Sequence, residues 1–289
     1  MSESVITKRI SVEKPWMKHY SEEVRNLPNP KMTAYRYMTE SNKDRQGEVA
    51  INYYGNKIKH AELKKNIDAT ANAFAAVGVK KGDIVSFLSV ATPETIYCIY
   101  ALNKLGATAN TIDPRMDIES IRRAVVESES KIFVVMNVVY EKIASIVDEL
   151  KQDLIVTVSA SQSLPFIKRV AMNLKVKANV PYSDKIIAYN TLLAKGKGTT
   201  AVEAPYVGDA VFSIPYTGGT TGFPGRASQA SDSHIRRSSS AAGGRSADTP
   251  PRRWRWRWPR PPGWPRRSNR CDAPDDAGQR SGQTYHPGA

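Results

Sequence analysis

A regular alternation of strand-like and helix-like segments between residues 49 and 160 constrains the fold of this chain more than any other feature. Short apolar runs alternate with longer segments whose apolar residues recur three or four positions apart. The predicted strands are 84–90, 108–112, 131–136 and 154–158, and the predicted helices are 61–77, 93–105, 118–128 and 138–150. Strands separated by helices of this length form βαβ units. The pattern therefore predicts an α/β fold with a mainly parallel sheet flanked by helices.

Turn signals at both ends of this region extend the prediction. Residues 49–54 and 57–59 surround a Gly-Asn pair, which predicts a hairpin. Gly78 and Gly106 follow apolar helical patterns and are expected to end those helices. Further along the chain, residues 183–193 predict a helix with Ser183 or Asp184 near its N-cap. A strand is expected at residues 211–216.

The segment 164–177 is amphipathic and basic, and two interpretations apply to it. Such a helix lies on a membrane surface when its apolar face enters the lipid headgroup region. A surface helix with snorkelling lysines has the same composition. The sequence favours the surface helix, with membrane contact as the alternative.

The net charge of +14 averages two unlike parts of the chain. Residues 226–289 hold 13 arginines and five aspartates, and this accounts for more than half of the excess positive charge. In residues 1–225, lysines are interspersed with glutamates and aspartates, which is typical of a solvated surface and not of a nucleic-acid footprint. No specific nucleic-acid partner is expected for that part.

Residues 226–289 contain no Leu, Val, Phe, Met, Lys or Glu, and a segment that cannot bury a core is expected to be disordered. Tryptophan and arginine alternate over 254–258. That pattern suits stacking on nucleic-acid bases or contact with an anionic membrane surface. A third hypothesis is that the tail is not part of the natural gene product, and the sequence favours this one.

Features of secreted or membrane proteins are not evident. Cys98 and Cys271 are too few and too far apart for a disulfide framework, and Cys98 is expected to be a buried small hydrophobe. Residues 1–16 have no apolar run of signal-peptide length. A cytoplasmic protein is the simplest prediction. The four histidines are scattered, and neither a catalytic residue nor a metal site is assigned.

Residues 216–224 read Tyr-Thr-Gly-Gly-Thr-Thr-Gly-Phe-Pro. Successive N–H groups in such a loop form an anion-binding concavity, and threonine hydroxyls add donors. The loop lacks the Gly-Lys-Ser/Thr ending of a Walker A motif and the spacing of a dinucleotide site. Composition alone leaves a phosphate-binding loop and a plain hairpin turn equally open.

The run resembles the phosphate-binding signature of adenylate-forming enzymes, Tyr-Thr-(Ser/Gly)-Gly-Thr-Thr-Gly-x-Pro-Lys-Gly. Residues 52–63 resemble the opening hairpin and first helix of that superfamily, and residues 78–85 resemble its Gly-Val-Lys-Lys-Gly-Asp turn. Residues 103–115 are similar to a segment of its acyl-CoA synthetase branch, which includes long-chain fatty-acid–CoA ligases. The resemblance runs from about residue 30 to Pro224.

The resemblance implies a ligase reaction in which a carboxylic or fatty acid reacts with ATP to give an acyl-adenylate and pyrophosphate. Coenzyme A then displaces AMP, and Mg²⁺ accompanies ATP. The residues that this resemblance assigns to the β- and γ-phosphates are Thr217, Gly218, Gly219, Thr220, Thr221 and Gly222. The identity of the acid cannot be read from the sequence.

The sequence departs from the family pattern after Pro224, where Gly225 and Arg226 stand in place of Lys and Gly. The family's adenine-binding and ribose-binding segments, its hinge and its small C-terminal domain with a catalytic lysine are not found downstream. The last lysine is Lys197. We therefore expect an N-terminal extension (1–29), a partial AMP-binding domain (30–225) and a tail (226–289), inactive alone. Whether the chain is an enzyme stays open, and the alternative is a nucleic-acid- or membrane-binding protein acting through the Trp/Arg tail.

Overall fold

The computed structural model describes residues 15–26, 30–176 and 178–217, and the backbone of residues 225–226 and 229–230. Two antiparallel strands, β1 (Val49–Tyr53) and β2 (Asn56–Lys59), form the predicted hairpin. The remaining strands belong to one larger sheet. They are β3 (Ile84–Leu88), β4 (Thr108–Ile112), β5 (Ile132–Met136), β6 (Leu154–Val158), β7 (Ile186–Ala188), β8 (Val211–Thr217), β9 (Gly225–Arg226) and β10 (Gln229–Ala230).

Helices precede the first strand and connect later ones. They are α1 (Glu22–Arg25), α2 (Ala34–Glu40), α3 (His60–Ala76), α4 (Pro93–Leu105), α5 (Ile118–Glu127), α6 (Tyr140–Ile143), α7 (Phe166–Lys175) and α8 (Tyr189–Lys195). Short 3-10 turns occur at Pro15–His19, Lys43–Arg45 and Asn137–Val139. Gly106 ends α4 in the left-handed conformation, with φ of 73°, as its position in the sequence predicts.

The order of the large sheet is β10-β8-β4-β3-β5-β6-β7. Strands β3 to β8 pair in parallel, which confirms the predicted α/β class with a mainly parallel sheet. β4 lies on one side of β3 and β5 on the other, so the strand order reverses at β3. Strand β8 follows β7 in the chain, but it lies on the other side of the sheet, where it pairs with β4.

Two apolar cores cover the two faces of the sheet, because successive strand residues point to opposite sides. One core packs α2, α3, α4 and α8 onto the sheet, and its members include Phe74, Phe87, Leu102, Val134 and Leu192. The other lies under α5 and α6, and its members include Leu88, Ile121, Phe133, Ile143 and Ile155. The free cysteine Cys98 is fully buried in the first core, as the sequence predicts.

A polar cluster joins the three helices of the first face that lie nearest the N-terminus. The Asp68 carboxylate on α3 accepts hydrogen bonds from Tyr35 Oη (2.6 Å) and Lys104 Nζ (2.8 Å), which lie on α2 and α4. Lys64 Nζ donates to its other oxygen at 2.6 Å. Burial alone raises the pKa of Asp68, but these hydrogen bonds outweigh burial and hold the pKa below its usual value. The cluster therefore fixes α2 against α3 and α4 through one ionised group.

Two predicted helices differ from the structure. The helix predicted at 183–193 is wrong over its first half, where Ile186–Ala188 forms β7 beside β6 and the helix begins at Tyr189. Ser183 Oγ accepts from the Ile186 N–H in a turn before that strand and does not cap a helix. The helix predicted at 138–150 divides into a 3-10 turn, α6 and further turns. Tyr140, Ile143, Ile146, Val147 and Leu150 are nevertheless buried, so the helical spacing marked the correct face.

Some sequence-based predictions fall on residues outside those that the structure describes. They include the expected disorder of the tail and the Trp/Arg alternation at 254–258. Within the tail, the backbone of Arg226 and of Gln229–Ala230 pairs with β8. Over the described part of the chain, none of the helices has the length and apolar character needed to cross a bilayer.

Candidate functional site

The glycine-rich loop leaves the sheet at the carboxyl end of β8. Strand β8 runs parallel to β4, with Thr111 paired to Pro215. Two residues further on, Asp113 and Thr217 therefore leave adjacent strands at the same edge of the sheet. In open α/β sheets, ligands bind at this carboxyl edge, next to the point where strand order reverses. The loop begins at the edge where such folds hold ligands.

A short antiparallel strand follows the loop. Tyr216 pairs with Arg226, and Thr217 pairs with Gly225, so residues 218–224 connect the two arms of a hairpin. Gln229–Ala230 then pair with the first half of β8. The chain after the loop thus returns along the edge of β8 that faces away from β4. A hairpin and a phosphate-binding loop, which composition presents as alternatives, are compatible here.

Of the predicted phosphate-binding residues, the structure describes only the backbone of Thr217, the last residue of β8. The side chain of Thr217 and the next residues, Gly218, Gly219, Thr220, Thr221 and Gly222, lie outside the described part of the chain. The contacts that they make with a ligand stay a prediction. Their place between β8 and β9 follows from the pairing on both sides.

The strand that leads into the loop is held firmly. Phe212 and Ile214 of β8 are buried. The rings of Phe212 and Tyr100 pack edge to face, with 6.4 Å between their centroids. Thr108 Oγ1 donates to the carbonyl of Val211 at 2.8 Å, which adds a side-chain bond to the β4–β8 ladder. Tyr216 Oη donates to the carbonyl of Ala124 on α5 at 3.3 Å. The loop therefore starts from a fixed backbone.

A charged turn follows β4 at the same edge. The Arg115 guanidinium donates to the Asp113 carboxylate, with Nη2 at 2.5 Å from Oδ2, and holds the pKa of Asp113 below its usual value. Lys142 Nζ donates to the carbonyl oxygens of Pro114 and Met116. The turn is thus closed by its own ion pair and tied to α6. Its sequence supports the family resemblance, but no role in binding was predicted for it.

A buried carboxyl group near this edge was not foreseen from the sequence. Glu94 lies in the first turn of α4, just after β3, and is only 2% exposed. Ser163 Oγ donates to its Oε1 at 2.5 Å, while Oε2 has no hydrogen-bond partner in the described structure. Burial raises the pKa of Glu94. Glutamate in a first helical turn normally indicates an exposed residue that complements the helix dipole, so the sequence carries no signal of this burial.

The chemistry of the loop favours an anionic ligand. Backbone N–H groups and threonine hydroxyls are donors that match phosphate oxygens. Among the described residues, no three His, Cys, Asp or Glu side chains are grouped so that they could hold a metal ion. The donors that the sequence places at this edge therefore suit phosphate groups.

Residues 38–227 match the AMP-binding enzyme family, so the chain belongs to that family. The match covers most of the chain and includes β1 to β9, with the glycine-rich loop near its end. The resemblance read from the sequence motifs is thereby confirmed.

Individual relatives agree with this assignment. A long-chain-fatty-acid–CoA ligase from Bacillus subtilis (strain 168) is 23% identical over 218 residues, which is 73% of this chain and 39% of the relative. The structure is also similar to an anthranilate CoA ligase in complex with anthranoyl-AMP, with a TM-score of 0.59 and 17% identity, over 76% of this chain and 38% of that one. ATP-bound MatB from Rhodopseudomonas palustris gives a TM-score of 0.53 with 18% identity, over 73% and 36% of the two chains.

The chain spans about two fifths of the length of these proteins. At such low identity, the two structural similarities show the shared fold of the N-terminal part of adenylate-forming enzymes. The family is thus defined by the matched residues, whereas the reaction of the longer relatives is a separate question for this chain.

Proposed function

We propose that this chain supplies the ATP-phosphate-binding part of an acyl-CoA synthetase. In that reaction a carboxylate attacks the α-phosphate of ATP and releases pyrophosphate, and the thiol of coenzyme A then displaces AMP from the acyl-adenylate. The observation that carries the proposal is the position of the glycine-rich loop. It joins β8 and β9 at the carboxyl edge of the parallel sheet in a chain of the AMP-binding family.

The loop residues have the chemistry that this role requires. Backbone N–H groups of Gly218 to Gly222 and the hydroxyls of Thr217, Thr220 and Thr221 would hold the β- and γ-phosphates. Phosphoryl chemistry depends mainly on positioning and on neutralising charge, so a loop starting from a rigid strand is suited to it. Mg²⁺ would arrive coordinated by the phosphate oxygens and supply charge neutralisation. Coenzyme A is implied by the family and is assigned to no residue of the described structure.

The acid substrate is proposed at the level of its class. One relative bears the name of a long-chain-fatty-acid–CoA ligase and another that of an anthranilate CoA ligase. We therefore propose a small carboxylic acid or a fatty acid, and assign the reaction to the cytoplasm, where ATP and coenzyme A are available.

Nucleotide binding tests the role of the loop. If the loop holds the β- and γ-phosphates, isothermal titration will show binding of ATP and of pyrophosphate, with AMP bound at least about tenfold more weakly. The double variant Thr220→Val/Thr221→Val removes two hydroxyl donors to a charged group. Since each such bond contributes about 1.5–3 kcal/mol, ATP affinity should fall by about tenfold or more.

The matched control is Thr199→Val/Thr200→Val, which makes the same change ahead of β8 and should leave ATP affinity unchanged. Equal affinity for AMP and ATP, or equal losses in both double variants, would contradict the assignment of the phosphates to this loop.

Turnover is a separate readout. We propose that a polypeptide of these 289 residues does not release pyrophosphate by itself, since no lysine follows Lys197 to take the place of the family's catalytic lysine. Pyrophosphate release measured with ATP, Mg²⁺ and a panel of carboxylates should stay at background. Measurable turnover would refute this proposal of inactivity and leave the loop assignment standing.

A further inference from the structure

Helix α7 presents large apolar side chains to solvent. Phe166 is 70% exposed, Ile167 81% and Leu174 76%, and Val170 is 42% exposed. The sequence favours a surface helix over which lysine stems snorkel, and α7 does lie at the surface. However, the residues left uncovered are aromatic and aliphatic, and the described part of the chain places no residue over them.

These side chains form one continuous face. Residues in an α-helix are separated by about 100° of rotation, so positions 166, 167, 170 and 174 fall within an arc of about 100°. The opposite side of the helix contacts the rest of the protein. Met172, about 170° from the centre of that arc, packs against the first core. Asn173, at the Phe166 edge of the arc, accepts a hydrogen bond at its Oδ1 from Ser161 Oγ at 2.6 Å. The apolar face therefore points away from the protein.

Basic side chains border this face on both sides. By the same helical geometry, Arg169 lies about 60° beyond Phe166 on one side, and Lys175 and Lys168 lie about 80° and 100° beyond Ile167 on the other. Arg169 lies over the Phe166 ring, 5.7 Å from its centroid, and Lys168 Nζ donates to the carbonyl of Tyr54 at 2.7 Å. Residues 154–183 contain no aspartate or glutamate. The surface thus combines an exposed apolar arc with uncompensated positive charge.

We propose that α7 docks on the surface of an anionic lipid bilayer. Its apolar arc would enter the boundary between headgroups and acyl chains, while Arg169 and Lys175 would reach lipid phosphates. The proposal does not depend on the ATP-binding role of the glycine-rich loop. The positive charge of this segment favours lipid over a second copy of the chain as the group that covers the apolar face. Face-to-face pairing of two copies would bring basic borders together with no acidic residue on the segment to compensate them.

Vesicle co-sedimentation of the full chain tests this surface. The protein should bind vesicles of phosphatidylcholine mixed with phosphatidylserine, and bind pure phosphatidylcholine vesicles much more weakly. Phe166→Ser/Ile167→Ser should reduce binding to the anionic vesicles at least about tenfold, because each buried apolar side chain contributes about 1.5–3 kcal/mol. Both residues are exposed, so the melting temperature should not change. Arg169→Glu/Lys175→Glu should abolish the preference for anionic lipid.

Val126→Ser/Val202→Ser is the matched control, since both valines are exposed elsewhere on the surface and should leave binding unchanged. Wild-type binding that survives Phe166→Ser/Ile167→Ser would assign it to another segment and overturn the proposal. So would a failure of the wild-type chain to bind anionic vesicles. A dimer in light scattering that Phe166→Ser/Ile167→Ser disperses would instead identify a second copy as the occupant.

Discussion

The contribution of a single residue to the stability of this protein cannot always be predicted from its type and its position in the sequence. Glu94 occupies a helix position that usually faces water, yet the chain around Ser163 encloses it and leaves Oε2 without a partner in the described structure. An ionised carboxylate in such a place is less stable than in the unfolded chain, where water solvates it. Glu94 is therefore expected to destabilise the folded protein at neutral pH.

We predict that Glu94→Gln raises the free energy of unfolding at pH 7.5 by about 1–3 kcal/mol, the size of one unsatisfied buried polar group. The folded pKa of Glu94 lies above its unfolded value of about 4.3, so its favourable contribution is present below that value and is lost as pH rises through the folded pKa. The advantage of the variant should therefore disappear near pH 4. Urea unfolding at both pH values measures the difference.

Glu127→Gln, at an exposed position paired with Arg123, is the control for this change and should alter stability by less than about 0.5 kcal/mol. A stability gain for Glu94→Gln that is the same at both pH values would mean that ionisation of Glu94 is not its cause.

At the scale of elements, close backbone approach explains where α8 lies. An added Cβ at Gly196, just after α8, would lie 2.6 Å from both the Cα and the backbone N of Ala73 on α3. The two elements can contact at this distance only because residue 196 has no side chain. Gly196 thus determines how deeply α8 packs against α3.

Gly196→Ala should lower the free energy of unfolding by about 1–3 kcal/mol, because the helices must separate to admit the methyl group. The control is Gly47→Ala, where an added Cβ meets nothing within 4 Å, and its effect should be within about 0.5 kcal/mol. Chemical denaturation of the two variants gives the comparison. Similar losses at both positions would show that the contact with Ala73 is not limiting.

The elements also show what periodicity can and cannot predict. Helices α3, α4 and α5 were predicted within about one residue, because each has an apolar stripe of more than two turns and a clear terminal signal. Strand β7 was missed because three residues are too few to distinguish a strand from a helical turn by pattern. Its assignment depends on pairing with β6, which a local sequence pattern does not contain.

For the whole molecule, the class of the fold was predictable and the order of its strands was not. Alternation along the chain predicts a parallel sheet, but the return of β8 to β4 depends on contacts between distant segments. The candidate site likewise has a part that the sequence predicts and a part that it does not. The glycine-rich loop is a local motif and was found, whereas the burial of Glu94 comes from the packing of residues 69 positions apart.

The sheet should differ in stability from its centre to the β8 side. All five residues of β5 are buried, and β3 and β6 pair along it on both sides. Strand β8 pairs with β4 over three residues, and its other edge is joined by two-residue strands. We therefore predict that backbone amides of 132–136 exchange with deuterium more slowly than those of 211–217. Mass spectrometry of the corresponding peptides measures this, and equal protection would contradict the prediction.

The β4–β8 pairing also bears on how the protein is made. Ala109 pairs with Ser213, 104 residues later in the chain, whereas β3 to β7 are complete by residue 188. Chains acquire structure from the N-terminus during synthesis, and contacts between distant residues form late. During synthesis, we therefore expect the outer edge of β4 to stay unpaired until residues 211–217 have left the ribosome. The glycine-rich loop, which follows Thr217, would then emerge after strands β3 to β7.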